Sequence, residues 1–338
     1  MRLIEKVWFY GHPSKWLLVP LLLPFSVIFW LLSAFRRLCF SIRLLKTPTL
    51  RKPVIVVGNI SVGGNGKTPV VLYLVDLLKQ LGKTPGVISR GYGGHAPYYP
   101  YLINDLSTAE QAGDEPILIY RRCKVPVVVG SDRNASANLL IKGGCDIIIS
   151  DDGLQHYRLS RDIELVIVDG KRLFGNGLLL PAGPLREGQW RLSSSNLVIY
   201  NGQRDDSVCH KNLTSLTMTL GAEEVCNLST GQCVSITEFI NSYPGVNAIA
   251  GIGAPQRFFG TLIDKQFNLL NTQSFVDHHR FSLADFSQFD DTVPLLMTEK
   301  DAVKCQAFCL SNWWYLPVDA SFNTKGKQLL KNTIKAVL

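Results

Sequence analysis

The apolar positions of the chain fall into three regimes. Trp16 to Phe35 carries no charge over twenty residues, with Pro20 and Pro24 near its start. Downstream, short β-branched runs alternate with stretches of helical period. Strands are predicted at Val54–Val57, Pro85–Ser89, Val125–Gly130, Asp146–Ser150, Leu165–Asp169 and Asn196–Tyr200. Helices are predicted at Lys67–Leu81, Asp114–Arg122 and Asp132–Lys142. Apolar strands separated by helices make a mostly parallel sheet covered on both faces, which binds ligands beyond the carboxyl ends of its strands.

Beyond about residue 205 the texture changes, with more Ser, Thr, Asn and Cys and fewer long apolar runs. Ser215–Leu220 and Trp313–Pro317 read as two connecting strands flanking a smaller α/β unit, which opens with Asn247–Ala250 and the turn Gly251–Pro255. Thr324–Leu338 reads as a helix returning to the first domain. The expected segments are therefore 1–45 (membrane-associated), 46–213 (main domain), 214–321 (second α/β domain with its connecting strands) and 322–338 (C-terminal helix).

Twenty uncharged residues are just enough to cross a bilayer. The two prolines would kink or delay a helix there. A cleaved signal peptide is disfavoured: the stretch is long, no small-x-small site follows it, and the basic cluster comes after it. Arg36, Arg37, Arg43, Lys46, Arg51 and Lys52 downstream outnumber Arg2, Lys6 and Lys15 upstream, which keeps the bulk of the chain cytoplasmic. A single span and a helix partly embedded in the inner leaflet both remain, with the prolines and flanking bases favouring embedding. A buried core helix is the bland alternative.

At 338 residues there is room for about two domains. Charged residues make up only 18%, mean hydropathy is +0.12, and the net charge of +8 suits nucleic acid, an anionic membrane or a phosphorylated substrate. No arginine–aromatic motif of a nucleic-acid module is present, which removes the first. Eight scattered cysteines (39, 123, 145, 209, 226, 233, 305, 309) without a C-x-x-C pair argue against a disulfide framework or zinc site and for a reducing compartment. Cys305 and Cys309, at helical spacing, read as packing residues.

The chemistry concentrates first in Gly58-Asn-Ile-Ser-Val-Gly-Gly-Asn-Gly-Lys-Thr-Pro69, between a strand and a helix. Such a loop holds phosphates on backbone N–H groups at a helix N-terminus. Ser61, Val62, Gly63, Gly64, Asn65 and Gly66 would line it, Lys67 would reach the β- and γ-phosphates, and the Thr68 hydroxyl would ligate Mg²⁺. Ser61 stands where G-x-x-x-x-G-K-[ST] has its first glycine, and a plain glycine turn is the alternative. The fold class is thus α/β of the P-loop NTPase type, with a nucleoside triphosphate and Mg²⁺ as expected ligands.

Other groups extend the pattern. The run Cys145–Gly153 ends in Asp151 and Asp152 at a strand tip, as a Walker B element would to face the Mg²⁺ on Thr68; alone it is also a turn. Arg90, in Ser89-Arg-Gly-Tyr-Gly-Gly94, would neutralise charge on a transferring phosphoryl group, or belong to an ordinary surface loop. Asp114, in Gly113-Asp-Glu-Pro116, is equally a helix cap and a base for a hydroxyl. Asp277-His278-His279-Arg280 offers a histidine that could polarise a carboxylate. Arg133 is a further phosphate candidate, and Gly175–Glu187 is an apolar, glycine- and proline-punctuated run suited either to a lipid or to a buried connection.

Together these motifs resemble the tetraacyldisaccharide 4′-kinase family of Gram-negative bacteria, over nearly the whole chain. The resemblance also rests on Ser150-Asp-Asp-Gly-Leu-Gln-His156, Leu180-Pro-Ala-Gly-Pro-Leu-Arg-Glu187, Phe275-Val-Asp-His-His279 and Met297-Thr-Glu-Lys-Asp-Ala-Val-Lys304. It implies transfer of the ATP γ-phosphate to the 4′-hydroxyl of a tetraacylated disaccharide 1-phosphate, giving lipid IVA in lipid A biosynthesis. It implies an inner-membrane location on the cytoplasmic face, a lipid disaccharide as partner, no nucleic acid and no obligate protein partner. It makes Asp114 the base and His278 its partner, with His279 adjacent, and it accepts Ser61 in the loop. A membrane-bound nucleotide switch of the ParA/MinD type is a rival, disfavoured because Val62 occupies the position of its leading lysine. A P-loop kinase for a soluble small molecule is another, disfavoured by the apolar N-terminus.

Overall fold

A computed structural model of the chain describes residues 3–203 and 213–338. Met1, Arg2 and Cys209, and the stretch just past residue 205 where the composition shifts, lie outside the described residues. The elements run α1 (Leu3–Tyr10), α2 (Lys15–Ser41), β1 (Val54–Gly58), α3 (Lys67–Gln80), β2 (Pro85–Ser89), β3 (Tyr101–Leu102), α4 (Ala109–Ala112), α5 (Asp114–Cys123), β4 (Val127–Val129), α6 (Arg133–Lys142), β5 (Ile147–Asp151), β6 (Ile163–Asp169) and β7 (Leu197–Asn201). They continue with β8 (Ser215–Gly221), β9 (Glu224–Asn227), β10 (Cys233–Ser235), α7 (Ile236–Ser242), β11 (Val246–Ala250), α8 (Pro255–Asp264), β12 (Leu269–Ser274), β13 (Leu295–Thr298), α9 (Glu299–Cys305), β14 (Trp313–Leu316), β15 (Asp319–Phe322) and α10 (Thr324–Lys335).

Two compact units emerge. The first comprises residues 1–90, 125–220 and 320–338, and the second 91–124 and 221–319. The first unit carries a sheet in the order β15-β8-β7-β6-β1-β5-β2-β4, in which every pairing from β8 to β4 is parallel. β1 is central and wholly buried, and its neighbours β5 and β6 are equally enclosed. That is why these strands read as continuous apolar runs rather than alternating ones. Val57 pairs with Asp151, so the β1 tip that starts the 58–69 loop lies beside the acidic end of β5. Val54, Val56, Ile88, Val128, Ala137, Leu140 and Ile148 form one buried cluster, and Ile60, Leu154, Val166, Phe174, Leu185 and Leu192 another.

The N-terminal α2 is one continuous helix of 27 residues, long and apolar enough by length and composition to cross a membrane. It begins at Lys15, ahead of both prolines, so they do not delay it: each removes only one backbone donor from the helix. Most of its large apolar side chains are exposed, among them Trp16, Leu17, Leu21, Phe25 and Leu32, which removes the core-helix alternative.

The second unit holds a sheet in the order β10-β9-β14-β13-β11-β12, parallel from β14 to β12 and antiparallel from β14 to β10. Residues 91–124, which the sequence segments place in the main domain, belong to this unit. The tie is ionic: Arg122 on α5 meets Glu299 on α9 at 2.7 Å, and Glu115 meets Lys300 at 3.1 Å. Trp313–Pro317 was expected as a connecting strand, but β14 lies inside this sheet, because Trp313 and Leu316 are buried among Phe286, Met297 and Leu296. The return connection is β15 instead. The reading against a disulfide framework did not foresee a single bridge. The β9–β10 hairpin sets Cys226 directly opposite Cys233, Cα atoms 4.0 Å apart, and the two are bonded. One bridge among the described residues makes no framework: Cys39, Cys123, Cys145, Cys305 and Cys309 carry no disulfide, and Cys305 is core packing as read.

Candidate active site

In the first unit the glycine-rich 58–69 loop is held by hydrogen bonds within it and to neighbouring segments. Gly66 takes φ +91° as it leads into α3, and an added Cβ would lie 2.6 Å from Asn201 Nδ2, so only glycine fits. Asn201 Nδ2 donates to the Asn65 carbonyl at 3.1 Å. Asn65 Nδ2 in turn donates to Ser61 Oγ at 2.9 Å, with both residues buried. The serine that departs from the general consensus is therefore the acceptor for a buried amide. Val62 N donates to the Pro184 carbonyl, tying the loop to the 178–185 turn. Gly63 and Gly64 are exposed, and Thr68 is half-buried just inside α3.

Lys67 Nζ stands 3.6 Å from Asp152 Oδ1, and Arg186 Nη1 is 3.0 Å from Asp152 Oδ2. Burial works to raise the Asp152 pKa, but Lys67, Arg186 and Arg133 together hold it below the ordinary carboxylate value. Asp152 also adopts φ +46°, a strained conformation for a non-glycine residue. Asp151 is buried at the β5 tip, where Ser89 Oγ approaches Oδ2 at 3.4 Å and Arg133 Nη2 donates to its carbonyl at 2.9 Å. Burial pushes the Arg133 guanidinium down to about 10, against the pull of Asp151 and Asp152 and with added repulsion from Arg90. Arg90 itself is exposed just past β2. Thr68 Oγ1 and the Asp151 and Asp152 carboxylates are the hard oxygen donors that Mg²⁺ prefers, and the lowered pKa of Asp152 keeps it in the ionised form such an ion would need.

Two cations here escaped the sequence reading as site residues. Arg186 was seen only within an apolar run and the Leu180–Glu187 motif, yet it is the sole cation between residues 175 and 187, a signal that could have singled it out. Arg172 is clamped by Asp169 (Nε to Oδ2, 3.0 Å) and reaches the Gly64 carbonyl at 3.4 Å. Nothing in its local spacing marks it.

The second unit carries the other constellation. Asp114 is the first residue of α5 and is buried. Its Oδ1 accepts from Glu115 N at 2.9 Å, and its Oδ2 lies 3.0 Å from His278 Nδ1 and 3.8 Å from Lys300 Nζ. Gly113, not Asp114, holds the cap position, so Asp114 satisfies one N–H of the first turn through Oδ1 and meets its charged partners through Oδ2. Burial raises the Asp114 pKa, but the His278 hydrogen bond and Lys300 outweigh it and the net shift is downward. The same hydrogen bond raises His278 above its ordinary value against burial and Lys300. His278 takes φ +60° and lies against the Tyr92 ring at 5.1 Å. His279 turns away, stacked on Phe275 and 3.4 Å from Asp285, so of the two histidines it is His278 that meets Asp114. Lys300 also contacts Glu115 and Asp277, and these acids keep it protonated despite its burial.

A carboxylate held ionised beside a histidine, and a phosphate loop beside paired acids, are the parts that hydroxyl phosphorylation requires. Comparison with known proteins gives the same answer. The family described as tetraacyldisaccharide-1-P 4′-kinase matches residues 18–335. A tetraacyldisaccharide 4′-kinase of Colwellia psychrerythraea is 68% identical over 330 residues, covering 98% of this chain and 96% of that protein. One from Vibrio cholerae El Tor is 46% identical, covering 99% and 97%. The crystal structure of LpxK from Aquifex aeolicus in complex with ATP aligns with a TM-score of 0.78 at 29% identity, covering 93% of this chain and 98% of that one. The chain belongs to the tetraacyldisaccharide-1-P 4′-kinase family, the ATP-dependent kinases that phosphorylate the lipid A disaccharide.

Proposed function

We propose that this kinase moves the γ-phosphate of ATP to the 4′-hydroxyl of a tetraacyldisaccharide 1-phosphate with Asp114 as general base. The observation that carries this reading is the 3.0 Å contact between Asp114 and His278, with Lys300 behind it. Together they hold the carboxylate ionised in a buried setting, where it accepts a proton from the sugar hydroxyl as that oxygen attacks. The new bond joins the 4′-oxygen to the γ-phosphorus, the bond to the β,γ-bridging oxygen breaks, and ADP leaves. His278 orients Asp114 and shares the proton it gains.

In the first unit, the N–H groups of Gly63–Thr68 and the Lys67 ammonium would hold the β- and γ-phosphates. Arg90 would add positive charge as the phosphoryl group transfers. Mg²⁺, held by Thr68 and an acid from the Asp151–Asp152 pair, supplies charge neutralisation on the phosphates when bound. Arg133, buried against the Asp151 carbonyl, supports the acidic strand end.

The apolar α2, with Lys15 ahead of it and Arg36, Arg37 and Arg43 at its far end, would lie partly embedded in the cytoplasmic leaflet of the inner membrane. Ser26, buried on one side of the helix and bonded to the 179–182 turn, supports embedding over a free span. The acyl chains of the substrate would then stay in the leaflet while its headgroup is phosphorylated.

The test is Asp114→Ala, assayed with labelled ATP and the disaccharide 1-phosphate in detergent micelles. Turnover should fall by about 10²–10⁴-fold while ATP affinity is kept. Undiminished turnover in that variant removes Asp114 as base, and no labelled lipid from the wild-type chain removes the whole reading.

A further inference from the structure

We infer that Ser26, in the middle of the apolar N-terminal helix, is a positioning residue for the phosphate loop. The inference rests on residues 59–68 being the ATP site. Only Ser26 and Cys39 are buried along α2, and Ser26 is flanked by the exposed Phe25, Val27 and Ile28. A hydroxyl among membrane-facing side chains is costly unless both its donor and its acceptor capacity are used. Here both are. Ser26 Oγ donates to the Leu179 carbonyl at 3.0 Å, with its own helix's Leu22 carbonyl at 3.4 Å, and it accepts from the Ala182 N–H at 2.9 Å.

The turn it grips is the back of the phosphate loop. Leu180 N donates to the Leu185 carbonyl and Leu185 N to the Leu178 carbonyl, which folds residues 178–185 into one closed unit. The far side of that unit bonds directly to the loop. Val62 N donates to the Pro184 carbonyl at 2.9 Å, Arg186 N to the Ile60 carbonyl at 2.7 Å, and Ser61 bridges to Leu185. A single turn thus separates the membrane helix from the residues that cradle phosphate, and the same chain segment ends in Arg186 on Asp152.

A second tether runs in parallel from α1. Trp8 Nε1 donates to the Pro181 carbonyl at 3.1 Å, and Phe9 lies under Arg172, whose guanidinium reaches the Gly64 carbonyl. Two N-terminal helices therefore hold one turn, and that turn holds Ile60–Val62. Seating of the helix in the leaflet and the shape of the ATP site are mechanically one structure.

The experiment measures ATP affinity by fluorescent-nucleotide titration on the full-length protein in detergent micelles, alongside KM for ATP and for the lipid and the melting temperature. Ser26→Ala orphans the Ala182 N–H and should weaken ATP binding and raise its KM by about three- to tenfold, with a smaller change in the lipid KM. Trp8→Phe, which removes only the second tether, should shift ATP affinity in the same direction. Ser26→Thr keeps the hydroxyl and should stay closer to wild type than Ser26→Ala. ATP affinity unchanged in both Ser26→Ala and Trp8→Phe overturns the inference, as does a lowered melting temperature with no change in ATP affinity. Failure of the wild-type chain to bind ATP would instead overturn the function on which it rests.

Discussion

His278 Nδ1 lies 3.0 Å from Asp114 Oδ2 although the two residues are 164 positions apart in sequence. Their protonation shifts oppose one another: the histidine is raised and the carboxyl lowered, each chiefly through the other where burial does not intervene. His278→Asn leaves Asp114 with burial raising its pKa and Lys300 as the main opposing charge. The acidic limb of the kcat/KM profile should move to higher pH in that variant. A limb at the wild-type position would show that His278 does not tune the proposed base.

The same pair fixes a stability window. Asp114, lowered from 3.8, contributes stability that is present above that value and lost as pH falls through its folded pKa. His278, raised from 6.5, contributes stability that is present below that value and lost as pH rises through its folded pKa. The wild-type advantage over His278→Asn in urea unfolding should therefore be larger at pH 6 than at pH 9. An advantage that grows with pH would contradict the assigned direction.

Lys300→Met leaves Asp114, Glu115 and Asp277 without their shared cation. Losing one partner of a mostly buried ionic cluster costs about 3 kcal/mol. The midpoint of chemical denaturation should fall accordingly. Wild-type stability in Lys300→Met would mean that water already screens the three acids.

Gly66→Ala puts a side chain where φ is +91° and Asn201 Nδ2 would be 2.6 Å from the new Cβ. The bond from Asn201 to the Asn65 carbonyl has to break or the loop has to shift. ATP binding should be lost well before the fold melts. Calorimetric titration checks it, and wild-type affinity would show that the loop absorbs the change.

Ser61→Gly restores the general phosphate-loop consensus yet should be harmful. It removes the acceptor for the buried Asn65 amide, at a cost of about 1–3 kcal/mol. A melting temperature equal to or above wild type would show that the amide finds another partner.

The motifs were legible because their signals are local. A strand buried on both faces reads as a continuous apolar run, and β1, β2 and β5 differ from their predicted bounds by at most one residue at either end. The loop at 58–69 carries glycines whose positive φ values constrain the sequence directly, as Gly63 and Gly66 illustrate. Trp313–Pro317 was misplaced for the converse reason. Its strand character was clear, but which sheet receives a strand depends on the surface it packs against, and Trp313 packs among Phe286 and Phe308.

By itself the sequence indicated most strands of the main sheet, the glycine-rich loop, the acidic strand end and the long apolar N-terminal segment, all set by backbone period and residue type over a few positions. Tertiary structure alone decided that His278 rather than His279 meets Asp114, that Arg186 joins Lys67 on Asp152, that Cys226 faces Cys233, and that Ser26 grips the turn behind the phosphate loop. These pairs form where segments distant in sequence, or the two arms of a hairpin, are brought side by side by burial of other residues. Local spacing records which groups are present, but the packing of the surfaces between them chooses their partners.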